Sequence, residues 1–149
     1  MSKNKYLPDC AKCHQKNRIC KQPDGKYPKF CATKFYPEAI QEAKEELKKE
    51  DIKHFAKMAS LQEAECYAYR DKHLNYKYPT KPRIQEIMEF SKKMNYKKLG
   101  IAFCAGLSKE AEILAKILEN NNFEVVSVIC KVGGTEKEYL GLNDNQKIK

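Results

Sequence analysis

Four cysteines fall within the first 31 residues, as Cys10-x2-Cys13-x6-Cys20-x10-Cys31, and three more stand singly at Cys66, Cys104 and Cys130. Thiolate sulfur is a soft donor that selects zinc, Cu(I) and iron-sulfur centres. Ligation also supplies folding energy directly to a segment with little apolar surface of its own. Residues 1–36 are such a segment, so they read as a four-cysteine metal-binding module with Cys10, Cys13, Cys20 and Cys31 as ligands of zinc or a [4Fe-4S] cluster. The spacing leaves the metal open. A zinc ribbon normally offers two knuckles, and here Cys20 and Cys31 stand alone, which suits a cluster slightly better. His14, beside Cys13, reads as a surface or outer-shell residue rather than a replacement ligand. His54 and His73 have no cysteine at ligand spacing and read as ordinary helix and loop residues.

The charge supports two readings of the same segment. Residues 1–35 hold nine lysines and arginines against Asp9 and Asp24, much of the whole chain's net charge of +9. Four thiolates around Zn²⁺ or an oxidised cluster leave about −2, which neighbouring cations stabilise. The same cations, interleaved with Tyr6, Tyr27, Phe30, Phe35 and Tyr36, also suit a phosphate-facing surface with stacking rings. Small metal modules use aromatics as a miniature core as well, and nucleic acid is the less favoured partner.

Seven cysteines could form a disulfide framework, but the N-terminus, MSKNKYLPDC, has no apolar export signal, and a Cys-x2-Cys pair in an unexported chain reads better as metal-binding or redox chemistry. No run approaches the roughly 18 apolar residues of a membrane span. The expected setting is cytoplasmic, with no membrane partner.

The elements that must position these residues follow from periodicity. Pro8, Pro23-Asp24-Gly25 and Pro28 punctuate the cysteine segment into loops and turns. Residues 37–149 read as one helical plus βαβ domain. A helix is predicted from Pro37 to near Glu50, with Ile40, Ala43 and Leu47 on one face. A second runs from Asp51 to about Tyr69, with a stripe of Ile52, Phe55, Ala56 and Ala59 that continues to Glu63 and Cys66. That carboxylate and thiol are either a functional pair or a small buried cysteine beside a helix-end glutamate. A polar, tyrosine-bearing linker, Asp71 to Pro82, precedes a third helix from Arg83 to Met94, with Ile84, Ile87, Met88, Ser91 and Met94 on one face.

Then the period changes. KLGIAFC, Lys98 to Cys104, is a continuous apolar run; a helix starts at Ser108 and runs to about Glu119; Asn120 to Asn122 stop it; FEVVSVIC, Phe123 to Cys130, is a second run. Strand, helix, strand at this spacing is a βαβ unit with parallel strands and a right-handed crossover. The fold class is therefore α/β, as a three-layer or partial Rossmann-like sheet.

Cys104 and Cys130 each end a predicted strand, where parallel sheets keep their ligand sites. Cys104 also precedes the helix that starts at Ser108, whose free N–H groups favour a thiolate or a bound anion. Gly106, Gly133 and Gly134 let backbone approach a ligand, so with Ser108 they are the candidate cofactor-binding positions. Cys104, Cys130 and Cys66 are the candidate catalytic residues. No GxGxxG, Walker A, HExxH or GxSxG sequence occurs, and no repeat of about 20–50 residues is visible.

The chain resembles a family of small cysteine-rich proteins of unknown function from anaerobic bacteria and archaea, known only as predicted metal-binding proteins. The likeness rests on CAKC at Cys10–Cys13, Cys20 and Cys31, EAE at Glu63–Glu65, RIQEIMEFSKKMNYKKLGIAFCAGL from Arg83 to Leu107, and VVSVICKVGG from Val125 to Gly134. It implies metal binding, with Cys104 and Cys130 at matching family positions, and it implies no reaction. Family members continue with further strands and another cysteine-bearing strand end, whereas this chain stops in GLNDNQKIK. A shortened member, or a layer completed by helices 37–94 and a second copy in a homo-oligomer, would account for the difference.

Three functions compete at this point. One is a metal-binding protein; another is a thiol- or metal-dependent redox or sulfur-transfer enzyme using the strand-end cysteines; the last is a basic metal module on nucleic acid.

Overall fold

The computed structural model describes residues 6–72 and 77–147. Lys3 and Lys5 of the basic segment, His73 with the linker residues beside it, and the last two positions of the tail lie outside the described residues. The chain divides into two compact units, Met1–Lys57 and Met58–Lys149.

In the first unit the cysteine segment is built from turns, as the prolines and Gly25 suggest. A 3-10 turn spans Cys10–Lys12. The N–H groups of Lys21 and Gln22 donate to the Arg18 carbonyl at 2.9 and 3.1 Å, and Gly25 N–H donates to Gln22 O at 3.0 Å. Ile19 N–H then bonds Lys26 O at 3.1 Å, and Lys26 N–H bonds Asn17 O at 2.6 Å, closing the loop on itself. Glycine is required here by a close approach: a Cβ on Gly25 would fall on the backbone of Arg18 and Ile19.

Helix α1 (Ala32–Phe35) follows Cys31, and α2 (Pro37–Glu46) starts with proline at its first position, where the missing N–H is not needed. Helix α2 ends before Glu50 because Lys48 and Lys49 N–H groups turn back to the carbonyls of Glu45 and Glu46, three residues away. Helix α3 (Glu50–Glu65) begins with Glu50 and Asp51 in its first turn, where acids suit the helix dipole. Of the expected apolar faces, Ile40 and Ala56 are half-buried, while Ala43, Leu47, Ile52 and Phe55 are exposed.

The second unit is α/β. Two residues of β1 (Tyr67–Ala68), where the periodicity predicts that the second helix runs on to Tyr69 but it ends at Glu65, pair antiparallel with β2 (Tyr78–Pro79) in the expected linker. Helix α4 (Arg83–Lys93) follows Pro82. Strand β3 (Lys98–Phe103), helix α5 (Ser108–Asn120) and β4 (Glu124–Ile129) form the expected βαβ unit, with a 3-10 turn at Ala105–Leu107 leading into α5. The strands are parallel and in continuous register from Lys98↔Glu124 to Phe103↔Ile129.

Alternation decides what the sheet covers. Leu99, Ile101, Phe103, Val125 and Ile129 are half-buried, and Gly100, Ala102, Val126 and Val128 are exposed. Among the described residues this sheet has two strands. Its core is completed by Ala111 and Leu118 of α5 and by Phe123, all buried. The asparagine stop works as its residue type suggests: Asn122 takes a left-handed φ of 67°, and the N–H groups of Asn121, Asn122 and Phe123 return to α5 carbonyls at 3.0 to 3.1 Å.

Candidate functional site

All seven cysteines carry free thiols, and they occupy three different environments. The four N-terminal ones come together. Cys10, Cys13, Cys20 and Cys31 line one cavity of about 60 Å³, with Arg18, Ile19, Lys26, Pro28, Phe30 and Thr33 as the remaining wall. The turn that carries Cys10 and Cys13, the closed loop from Asn17 to Lys26 and the Cys31 N–H bond to Pro28 O at 3.1 Å set their positions. Cys13 and Cys31 are half-buried, and Cys10 and Cys20 are exposed. Among the described residues no three histidine, cysteine, aspartate or glutamate side chains are grouped closely enough to hold a metal ion as they stand. His14 is exposed and lies outside the cavity wall.

The interleaved aromatics of this unit pack with each other and with the lysines. Tyr27 and Phe35 meet edge to face at 6.0 Å, Lys34 Nζ stands 5.4 Å from the Tyr27 ring, and Lys29 Nζ 4.7 Å from that of Tyr6. The Tyr36 hydroxyl donates to Tyr6 O at 3.0 Å.

Cys66 is of a different kind. It is only 3% exposed, its thiol donates to Gln62 O at 2.9 Å, and Gln62 Nε2 donates to its sulfur at 3.4 Å. Burial, ahead of every other influence, pushes this thiol up, and Glu86 adds to the effect. The buried neighbour is thus Gln62; Glu63, expected on this face, is exposed. Gln62 joins Cys66 to a charged network on α4. Glu89 accepts from Lys81 at 2.6 Å, Gln62 at 2.8 Å and Gln85 at 2.9 Å, while Lys93 donates to Gln62 and Glu65. These donors, Lys81 first, hold the Glu89 carboxyl down at about 2. Such a network fixes side chains and leaves Cys66 a poor nucleophile.

Cys104 and Cys130 form the third environment. They are the residues immediately after the last register pair, Phe103↔Ile129, and Cys130 N–H donates to Phe103 O at 2.8 Å. Both are exposed. The Gly106 N–H, then the Cys130 thiol and the Ala105 N–H, donate to the Cys104 sulfur, and Lys131 lies near; together they lower its pKa below the usual thiol value. Ser108, a candidate ligand position, spends its hydroxyl on Ala105 O at 2.7 Å and so braces the turn beside Cys104. A side chain at Gly106, Gly133 or Gly134 would meet nothing within 4 Å, and the last two have φ of 88° and 62°. Sequence reasoning did not find a further concavity of about 270 Å³ lined by Lys92, Asn95, Tyr96, Lys97, Asn121, Asn122 and Phe123. Its residues come from the end of α4 and the turns that follow α4 and α5, and include no cysteine, histidine or carboxylate.

The fold and thiols thus define an α/β protein with a parallel strand pair ending in two adjacent cysteines, preceded by a four-cysteine loop segment. The chain belongs to a family whose members are described as a protein of unknown function (DUF1847), and the family match covers residues 31–149. Cys31, Cys66, Cys104 and Cys130 fall inside that match, and Cys10, Cys13 and Cys20 precede it. An uncharacterized protein of Methanocaldococcus jannaschii, MJ0455, is 47% identical over 98 residues, which are 66% of this chain and 49% of that one. The chain spans about half the length of the curated relative it matches. No solved structure matches it significantly. No helix among the described residues is long and apolar enough to cross a membrane.

Proposed function

We propose that this protein binds a soft metal centre, zinc or an iron-sulfur cluster, through Cys10, Cys13, Cys20 and Cys31 of a module over residues 1–36. The observation that carries the reading is that all four of these residues line one small cavity. Four sulfur donors are the set that zinc and iron-sulfur centres take, and Arg18 and Lys26 in the same wall balance the negative charge of four thiolates. Holding an ion would require the four sulfurs to draw closer than they stand, and these cysteines are exposed or half-buried. When bound, the centre would supply the folding energy that a segment held by turns lacks.

The test is anaerobic purification of the full chain with metal and sulfide analysis and an absorption spectrum. Either one zinc per colourless chain or iron with sulfide and broad visible absorption is expected, with loss of the metal in Cys10→Ser/Cys13→Ser. A metal-free protein, or one whose metal content survives that double substitution, refutes the reading.

A further inference from the structure

Cys104 and Cys130 are not among the proposed metal ligands, and their reactivity as a pair does not depend on the metal reading. Each directly follows a member of the last pair of the parallel register, Phe103↔Ile129, and the Cys130 N–H bonds Phe103 O. Adjacent strands lie about 4.8 Å apart, inside the Cα separation of roughly 4.4 to 6.8 Å that a disulfide spans. Both side chains are exposed.

We propose that Cys104 and Cys130 are a redox-active dithiol that reduces small, solvent-borne disulfides, with Cys104 as the attacking thiol and Cys130 as the resolving one. The assignment of roles follows from position in the fold. Cys104 directly precedes the Ala105–Leu107 turn that leads into the N-terminus of α5, whose free N–H groups favour a thiolate, and its thiol is lowered from the usual value, first by the Gly106 backbone N–H.

In the first step the Cys104 thiolate attacks one sulfur of a disulfide R–S–S–R. A Cys104–S–S–R bond forms, the R–S–S–R bond breaks, and R–S⁻ leaves. In the second, Cys130 gives up its proton, which the released R–S⁻ takes, and attacks the Cys104 sulfur. The second R–S⁻ leaves and is protonated from water. One disulfide is reduced to two thiols, and the two cysteines are oxidised to one Cys104–Cys130 disulfide. A dithiol reductant closes the cycle by the reverse exchange.

Oxidised glutathione, added to the reduced full chain without oxygen and followed by peptide mapping, tests this. The expected product is a Cys104–Cys130 linked peptide pair that has lost two hydrogens, with little glutathione retained on either residue. Cys130→Ser should trap a stable glutathione adduct on Cys104, and Cys104→Ser should slow adduct formation at Cys130 by about tenfold or more. The urea midpoints of both variants control for folding, and mapping separates this pair from the four N-terminal cysteines. Absence of the link, a lasting adduct on the unsubstituted protein, or equal reactivity of Cys104 and Cys130 in the two single variants would overturn the proposal.

Discussion

Glu89→Gln is the substitution whose cost the structure sets most directly. The Glu89 carboxylate accepts from Lys81, Gln62 and Gln85 at 2.6, 2.8 and 2.9 Å, and its side chain is 27% exposed. These donors hold it at about 2 instead of 4.5. At about 1.4 kcal/mol per tenfold change in proton affinity, that preference for the charged form is worth about 3 kcal/mol. Partial exposure screens it, which leaves about 2 kcal/mol, in line with hydrogen bonds to a charged group. The amide keeps the shape, removes the charge opposite Lys81 and sets an NH₂ donor against other donors. Urea unfolding followed by circular dichroism near neutral pH should therefore place the variant about 2 kcal/mol below the parent with an unchanged slope. The sign with pH follows from a depressed folded-state value. The stabilisation is fully present above the ordinary 4.5 and is lost as pH falls toward about 2. The difference between parent and variant should hold from about pH 8 to 5 and shrink below about 4.5. A variant as stable as the parent at neutral pH, or a difference that persists undiminished at about pH 3, refutes the reasoning.

Other expectations concern the thiols and the cysteine loop. Iodoacetamide applied to the native chain should label Cys104 at pH values where an ordinary thiol of 9.0 is still protonated, while Cys66 reacts only after denaturant is added; peptide mapping across pH reads both, and early labelling of Cys66 would contradict its burial. Gly25→Ala drives a methyl group onto the backbone of Arg18 and Ile19 and should cost about 1 to 3 kcal/mol. A thermal melt without a downward shift would show that the loop from Asn17 to Lys26 does not close on itself as described.

The βαβ unit was legible because its signals are local and redundant. KLGIAFC and FEVVSVIC are bounded runs, the asparagines after α5 supply the left-handed stop, and strand ends follow from strand positions. The adjacency of Cys104 and Cys130 was legible for the same reason. The β1–β2 ladder was not, since two residues per strand give no periodicity and Pro79 is a poor strand former. Nor was the burial of Gln62 in place of Glu63. Its reason is a carboxylate 27 positions away, Glu89, which no helical pattern within α3 can announce. Amphipathic spacing also overstated what is covered, because Leu47 and Phe55 are spaced for a core and remain exposed. Cys10, Cys13, Cys20 and Cys31 line one cavity, and the contributions of Arg18 and Lys26 to its wall depend on the turns between them, which residue type and spacing do not announce.

The parallel register of β3 and β4 has a temporal consequence. Until β4 docks, Cys104 and Cys130 are two unrelated thiols separated by α5 and its connections; only the completed ladder makes them neighbours. A slip of one residue would turn Cys130 to the opposite face of the sheet. The formation of a bond between them therefore reports that the two strands have paired, and in the correct alignment. During synthesis Cys104 emerges well before its partner, so the pair's chemistry begins when this part of the chain has finished folding.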